Sequence, residues 1–364
     1  MKVALVYDRV NKWGGAERVL LALNKIFPKA DLFTSVYYKE KAGWANVFNV
    51  KTSFLQNFPL AKSSHQFYAT LMPAAFESLN FDEYDLVISV TSESAKGIIT
   101  KPETLHICYC LTPNRYIWSS YEDYFRNPLL RFISKPAVSY LRMWDKVSSQ
   151  RPDRFIAIST AVKNRIKKYY GKDSVIIYPP LMFKEASRIS DKDKNAKKEN
   201  NYFLIVSRLE RISYKKIDIA VRACNKLNLP LKIVGTGTGE KELKKIAGST
   251  VEFLGQLTDA ELSYYYKNCR ALIFPGLEDF GLVMVEAQSF GKPVIAFRGG
   301  GALDIVKEGI TGEFFDKQTP EALEKVLVKF KDSSYNSKLC RENAERFSFE
   351  KFENDLKRFI GISL

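Results

Sequence analysis

Two glutamates, Glu278 and Glu286, stand eight residues apart in the stretch EDFGLVMVEAQSFGKPVIA. Such carboxylates can form a catalytic acid–base pair, bind the hydroxyls of a ligand, or lie on a solvated helix edge. The letters DFG predict a loop that holds Glu278, and the apolar run behind them predicts a helix whose first turns hold Glu286. The backbone N–H groups of Gly281, Leu282 and Val283 would lie at the start of that helix, where anions bind.

A basic pair in SRLERISYKKID complements these acids. Arg208 directly follows a predicted strand, and Lys215 lies seven residues further on, near the start of the next helix. The planar guanidinium of arginine and the point charge of lysine together suit a diphosphate, although a solvated basic loop is the alternative. Because carboxylates repel phosphate, Glu278 and Glu286 are expected to accept hydrogen bonds from sugar hydroxyls on either side of such a diphosphate.

Two glycine-rich turns also precede predicted helices. Gly14 and Gly15 follow the first strand in DRVNKWGGAERVLLAL, and three glycines stand together in FRGGGALDIV. Each turn could let the backbone approach a ligand, or could serve only as a turn. The first differs from the G-x-G-x-x-G pattern, which argues against a nicotinamide enzyme.

Strand-like and helix-like segments alternate along the chain, a pattern typical of parallel sheets with crossover helices. We predict an α/β protein with two doubly wound domains that face a central cleft: a first domain at 1–182, a lysine-rich linker at 183–200, and a second domain at 201–346. A C-terminal helix at 347–364 is expected to pack back onto the first domain. The predicted strands are 3–7, 32–36, 86–90, 105–110, 155–158, 175–177, 203–206, 231–234, 251–254, 271–274, 294–296 and 313–315.

Composition narrows the class of protein. The chain has 364 residues, 46% of them hydrophobic and 27% charged, which indicates a globular protein. Residues 1–182 hold 25 Lys and Arg against 15 Asp and Glu, so most of the net charge of +15 lies there. With five scattered cysteines and two histidines, we expect buried thiols, no zinc site and a cytoplasmic protein.

Taken together, these motifs resemble the retaining GT-B glycosyltransferases of glycosyltransferase family 4, and the resemblance covers nearly the whole chain. The segments that carry it are GGAERVL, SRL with KKID, VGTGTGEKELKK, VEFLGQLTDAEL, EDFGLVMVE and GKPVIAFRGGGALDIV. EDFGLVMVE matches the family's E-x7-E motif. The whole-chain pattern is most similar to bacterial mannosyltransferases of surface-polysaccharide and O-antigen biosynthesis.

The resemblance implies that the first domain, 1–182, binds the acceptor and that the second, 201–346, binds the nucleotide sugar. It also implies a role for each candidate residue. Arg208 and Lys215 would neutralise the diphosphate, Glu278 would hold the transferred sugar, and Glu286 would hold the ribose. Gly281, Leu282 and Val283 would hold the distal phosphate. The other donor contacts would come from Gly14 and Gly15 in the N-terminal glycine loop and from Gly235 and Leu257 in the segments that flank the base.

The implied reaction moves a hexose by front-face substitution, in which the leaving phosphate itself accepts the proton of the acceptor. It needs no enzymatic nucleophile, no cofactor and no metal; Asp191 and Asp193, the only Asp-x-Asp pair, lie in the predicted linker. The best guess for the donor is GDP-mannose. The acceptor would be a polyprenyl-diphosphate-linked glycan or another saccharide. An anionic membrane surface at the inner face is a candidate partner, because residues 124–151 mix basic with apolar side chains; an ordinary core-facing helix with a basic exposed side is the alternative.

One departure from the family pattern keeps alternatives open. In HICYCLTPNRYIW, Leu111 takes the place of a histidine that lies beside the donor sugar in the family, while Thr112, Pro113, Arg115 and Tyr116 fit. The chain could therefore be a nucleotide-sugar-binding protein without turnover. A sugar-nucleotide epimerase of the same architecture is a second alternative, which the shortage of histidines disfavours. The positive net charge is the only feature that suggests a nucleic-acid-binding protein, and no nucleic-acid-binding motif supports that alternative.

Overall fold

The structure is a computed structural model that describes residues 1–119, 121–125, 127–183, 201–210 and 214–361. The chain divides into two compact units, of which the first comprises Met1–Pro180 with Asp355–Leu364 and the second comprises Leu181–Asn354. All but the first residue of the predicted linker, including Asp191 and Asp193, lies outside the described residues. The C-terminal helix is shared between the two units, so its predicted packing as a whole against the first domain stays a prediction.

The first unit is built on a seven-stranded parallel sheet with the order β3-β2-β1-β4-β5-β6-β7. The edge strand β3 was not predicted, because its sequence NVKT has only one strongly apolar residue. Its strands are β1 Val3–Tyr7, β2 Asp31–Thr34, β3 Asn49–Thr52, β4 Leu86–Thr91, β5 Leu105–Cys110, β6 Arg154–Ala157 and β7 Val175–Ile176. Its helices are α1 Gly15–Ile26, α2 Met72–Glu77, α3 Tyr121–Tyr124, α4 Pro128–Ser148 and α5 Thr160–Tyr170, with short 3-10 helices at Lys39–Lys41, Gly43–Val47, Phe54–Asn57, His65–Tyr68 and Ala95–Gly97.

The second unit is built on a six-stranded parallel sheet with the order β10-β9-β8-β11-β12-β13. Its strands are β8 Phe203–Val206, β9 Leu231–Val234, β10 Val251–Gly255, β11 Ala271–Phe274, β12 Val294–Phe297 and β13 Gly312–Phe315. Its helices are α6 Ile217–Leu227, α7 Glu240–Ile246, α8 Asp259–Asn268, α9 Leu282–Ser289, α10 Ala302–Ile305, α11 Pro320–Lys329 and α12 Ser337–Glu345, with a 3-10 helix at Asp332–Ser334; α13 Phe349–Ile360 crosses into the first unit. The two predicted doubly wound sheets are thereby confirmed.

The core of the second unit explains why its inner strands β8 and β11 are apolar on both faces. β8 reads FLIV and β11 reads ALIF, and nearly all of these side chains are buried. Helices cover both faces of a doubly wound parallel sheet, so its inner strands need no polar face. α6 supplies one covering layer, in which Ile217, Ala220 and Cys224 join the apolar core.

The strand order of this sheet reverses beside β8. From β8 the chain runs outward through β9 to β10, and then returns to place β11 on the other side of β8. The helices that follow β8 and β11 leave on opposite faces of such a sheet, so a crevice opens at the carboxyl ends of these two strands, where doubly wound proteins bind ligands. The loops after β8 and β11 therefore form the candidate site of this unit.

The helix α9 begins at a backbone position that only glycine suits. Gly281 precedes the helix with φ = 97°, in the left-handed region. A Cβ atom at this position would also fall 2.6 Å from the Cε of Met284 and 2.9 Å from the Phe274 ring. Gly281 thus sets both the direction of α9 and its close packing on β11.

We predict that Gly281→Ala destabilises the second unit more than Gly255→Ala does. Gly255 has φ = 69°, but a Cβ there would meet no atom within 4 Å. Alanine at Gly255 should therefore cost only the backbone strain, about 1–2 kcal/mol. At Gly281 the overlap with a packed core should add roughly 1–3 kcal/mol. Urea unfolding followed by circular dichroism measures both, and equal losses would mean that Met284 and Phe274 move aside.

Candidate functional site

The loops after β8 and β11 contact each other directly. The N–H of Leu277 donates a hydrogen bond to the carbonyl of Tyr214 at 3.2 Å. Next to this link, the ammonium of Lys215 forms an ion pair with the Glu278 carboxylate, and their side chains are 12% and 20% exposed. The sequence analysis assigned Lys215 and Glu278 to different parts of one ligand. The structure shows them as partners of each other.

Arg208 lies at the end of β8 with a side chain that is 52% exposed. Its guanidinium pairs with Glu210 in the same loop at 3.1 Å. Residues 211–213, which link this loop to Lys215, lie outside the described residues. Arg208 therefore belongs to the same loop as Lys215 but has a more accessible charge.

Glu286 is a buried carboxylate in the second turn of α9, only 3% exposed. The hydroxyl of Tyr266, on α8, donates a hydrogen bond to its Oε2 at 2.8 Å. The Tyr266 ring stacks on Phe290, with centroids 5.5 Å apart, and meets Phe183 edge-on at 6.0 Å. A tyrosine fixed on both sides thus orients the Glu286 carboxylate. The sequence analysis missed Tyr266, because three consecutive tyrosines in SYYYKN gave no sign of which one faces Glu286.

The β11–α9 loop leads into a helix start that suits an anion, and a neighbouring glycine turn fixes its position. Leu282 and Val283 occupy the first turn of α9, where N–H groups have no acceptor within the helix. The glycine turn after β12 braces this loop, since the N–H of Gly301 donates to the carbonyl of Glu278 at 2.9 Å. A Cβ at Gly301 would fall 2.3 Å from the Cα of Phe280, so the close approach of the two loops requires glycine.

Gly235 and Leu257 follow the strands next to β8. Gly235 comes directly after β9 and donates its N–H to the carbonyl of Gly255 at 2.7 Å. Leu257 comes just after β10 and is half-buried. Carboxyl ends of parallel strands share one edge of the sheet, so both residues lie on the edge that carries the β8 and β11 loops. Their predicted contact with a nucleotide base stays a prediction.

In the first unit, Gly14 and Gly15 lie beside a buried carboxylate. Gly15 opens α1, and Glu17, in its first turn, is buried and accepts a hydrogen bond from the Tyr7 hydroxyl at 2.8 Å. A Cβ at Gly14 would lie 3.1 Å from the Oε2 of Glu17. The sequence analysis named the glycines but missed this acid, whose negative charge partly satisfies the positive end of the helix.

Asp8, at the end of β1, is a second buried acid that the sequence analysis did not single out. Its carboxylate accepts hydrogen bonds from the Thr91 hydroxyl at 2.9 Å and from the backbone N–H groups of residues 92–95 at 2.7–3.0 Å. Burial, with the nearby charge of Glu93, raises the pKa of Asp8 despite these hydrogen bonds. Asp8 therefore joins the turn after β4 to the end of β1.

His106 cannot take the place of the histidine that Leu111 replaces. The His106 ring is fully buried on β5 and lies 2.9 Å from the Ser89 hydroxyl. Burial, with a smaller contribution from Arg151, lowers the pKa of His106 to about 3, so the ring is neutral. Leu111 is half-buried just after β5 and donates its N–H to the carbonyl of Thr91 at 2.8 Å.

The chain has five cysteines, and the structure describes all of them as buried free thiols. Among the described residues, no group of three or more His, Cys, Asp or Glu side chains could hold a metal ion.

Comparison with known proteins gives relatives over most of the chain. Residues 187–347 match the family model described as glycosyl transferases group 1. An uncharacterized glycosyltransferase of Methanocaldococcus jannaschii is 26% identical over 57% of this chain and 58% of its own length. The O-antigen chain mannosyltransferase C of Escherichia coli is 29% identical over 43% of this chain and 44% of its own length. The chain thus spans about half the length of the curated relatives it matches.

Solved structures extend the likeness to both units. The crystal structure of Anabaena HepE in complex with UDP-glucose superposes with a TM-score of 0.74 and 20% identity, over 99% of this chain and 100% of that one. At this identity the likeness shows the fold, which is GT-B. The family match lies on the unit that carries the Lys215–Glu278 pair and the buried Glu286. Residues 187–347 thus match the group 1 glycosyl transferases, and the chain has the GT-B fold.

Proposed function

We propose that this protein is a retaining glycosyltransferase that moves a hexose from a nucleotide sugar to a saccharide acceptor. The observation that carries the proposal is the Lys215–Glu278 ion pair at the strand-order reversal, beside the first turn of α9 and the buried Glu286. A cation, a helix start and two carboxylates suit a ligand with a diphosphate between two polyhydroxylated groups. Two of its relatives are named as a glycosyltransferase and a mannosyltransferase, and these names support the same activity.

Each group then has a defined task on the donor. Lys215 and Arg208 bind the diphosphate, and the N–H groups of residues 281–283 hold its distal phosphate. Glu278 accepts hydrogen bonds from hydroxyls of the transferred sugar. Glu286, oriented by Tyr266, accepts them from the ribose.

The reaction is a substitution on the front face of the sugar. The bond from the anomeric carbon to the diphosphate oxygen breaks, and the acceptor hydroxyl forms its bond on the same face, so the configuration is retained. The departing phosphate oxygen takes the hydroxyl proton. The protein contributes by holding both reactants and by stabilising the negative charge that develops on the leaving group. Lys215 and Arg208 supply that charge stabilisation, so we propose a reaction without a metal or other cofactor.

The donor sugar and the acceptor are the finer parts of the proposal. We propose GDP-mannose as donor, which the E. coli relative named as a mannosyltransferase supports. The GT-B neighbour HepE holds UDP-glucose, so the base must be tested directly. The name of the same E. coli relative points to a growing glycan as acceptor, here one carried on a polyprenyl diphosphate. Such an acceptor would place the enzyme in the cytoplasm at the inner face of a membrane.

A second candidate is a donor-binding protein without turnover. Leu111 offers no polar group where the family has a histidine, and the buried His106 is unable to replace it. Both candidates predict nucleotide binding, and only the enzyme releases nucleoside diphosphate when donor and acceptor are supplied together.

We predict that one nucleoside diphosphate among GDP, UDP, ADP and dTDP raises the midpoint of thermal unfolding by several degrees. A ligand at about 100 times its dissociation constant adds roughly 2.7 kcal/mol to the free energy of unfolding. Glu286→Gln and Glu286→Ala should abolish the shift, measured against the midpoint of each variant alone. Glu324→Ala is the matched control, because Glu324 is a largely buried acid on α11 that pairs with Lys226 at 2.7 Å. If none of the four nucleotides shifts the wild type, the nucleotide-sugar proposal is wrong.

We predict opposite effects for the two members of the ion pair. Lys215→Ala should weaken binding of the nucleoside diphosphate at least about tenfold, since a hydrogen bond to a charged group is worth roughly 1.5–3 kcal/mol. Glu278→Gln should leave this affinity equal or higher, because Lys215 loses a competing carboxylate, while sugar transfer falls at least roughly tenfold. Isothermal titration calorimetry and nucleotide release measure the two effects, with Lys216→Ala as control. Weaker nucleotide binding by Glu278→Gln would contradict this exchange of partners.

We predict that Tyr266→Phe weakens nucleotide binding through Glu286. Loss of one hydrogen bond should cost about 1 kcal/mol, or roughly fivefold in affinity. If Tyr266 orients the carboxylate on the ribose, the preference for the ribonucleotide over its 2′-deoxy analogue should shrink as well. Tyr335→Phe is the control, because its hydroxyl donates to Glu313 at 2.6 Å in the same unit. An unchanged ribose preference would reduce Tyr266 to a structural role.

A further inference from the structure

The helix α4 of the first unit has two apolar faces. One face packs into the unit, where Val138 and Leu141 are buried with Ile117. Six further apolar side chains of α4 are open to solvent, between 58% and 69% exposed. These exposed apolar residues are Leu129, Leu130, Phe132, Ile133, Met143 and Val147.

Helical geometry gathers most of these residues into one stripe. At about 100° per residue, Leu129, Phe132, Ile133, Met143 and Val147 fall within an arc of about 100° on the side of α4 away from Val138. The helix has 21 residues, so the stripe is long and only one helix wide. An ordinary surface helix would have polar residues on this side.

The charges of α4 are all positive on its accessible surface. The helix has four cations, Arg131, Lys135, Arg142 and Lys146, and Lys135 and Lys146 are exposed beside the stripe. Its one acid, Asp145, is buried and accepts hydrogen bonds from Lys96 and from the Trp118 indole. An apolar stripe with lysines along its edge, on the more basic half of the chain, is complementary to a negatively charged apolar surface.

We infer that the exposed stripe of α4 lies in the interface of an anionic lipid bilayer, with the helix parallel to the membrane plane. No helix in the described part of the chain has the length and apolar composition to cross a bilayer, so α4 docks and does not span. A second copy of this chain is a poorer occupant, because an antiparallel symmetric contact would place the two lysine edges close together. The purpose of docking, access to a lipid-linked acceptor, rests on the proposed function.

Sedimentation with lipid vesicles tests the inference on the full-length protein. The wild type should bind vesicles of phosphatidylglycerol mixed with phosphatidylcholine, and bind phosphatidylcholine alone more weakly. Phe132→Ser with Ile133→Ser should weaken binding to the mixed vesicles at least roughly tenfold for each side chain removed. Val328→Ser with Leu339→Ser, exposed residues of the second unit, is the matched control and should bind as the wild type does.

A second pair of changes tests the charge. Lys135→Gln with Lys146→Gln should weaken binding to the mixed vesicles roughly thirtyfold, since each lysine near an anionic surface contributes a factor of about five. Binding to phosphatidylcholine alone should change little. Because all four side chains are exposed, circular dichroism should show the variants folded.

Three results would overturn the inference. They are a wild type that binds neither vesicle, a Phe132/Ile133 variant that binds as well as the wild type, and a wild-type dimer that this variant converts to a monomer in light scattering. Thermal unfolding of the same variants with nucleotide separates the two proposals. A vesicle-binding protein without a nucleotide shift would refute the proposed function alone, and a nucleotide shift without vesicle binding would refute this inference alone.

Discussion

The adjacency of β8 and β11 is the constraint on which the candidate site depends. The chain leaves β8 in one direction and returns to its other side, so two loops distant in sequence end at the same point of the sheet edge. The link from Leu277 to the Tyr214 carbonyl and the brace from Gly301 then fix the loops against each other. With the loops fixed, Lys215 and Glu278, 63 residues apart, become an ion pair.

That ion pair gives the site a balanced charge before any ligand binds. A partly buried cation without a partner would be costly, and Glu278 removes this cost at a position where water is partly excluded. Under the proposed function, a diphosphate would give Lys215 a stronger partner and a sugar hydroxyl would give Glu278 a neutral one, so the donor would exchange one set of contacts for another. Glu286 differs in that it accepts a hydrogen bond from a neutral group, the Tyr266 hydroxyl.

The sequence predicted elements and charged motifs better than the contacts between them. Long apolar strands such as β5 and β8 were predicted to the residue, because a parallel sheet requires continuous apolar runs. The edge strand β3 has no such run and was missed. Glu286 could be named from its motif, whereas Tyr266 and Asp8 could not, because their roles arise from side chains that meet only after folding. For the same reason Lys215 and Glu278 were not predicted to be partners.

The sequence of helix α4 is compatible with two different environments. Apolar residues mixed with lysine and arginine fit both a core-facing helix and a lipid-facing one, and the sequence analysis left both open. The buried face accounts for Val138 and Leu141, and yet large apolar side chains remain on the opposite face. A helix needs only one apolar face to fold onto its unit. Packing of α4 onto the first unit therefore does not account for its second apolar face. Under the two proposals, the nucleotide-sugar donor binds the second unit and the membrane binds the first, so each unit would have its own partner.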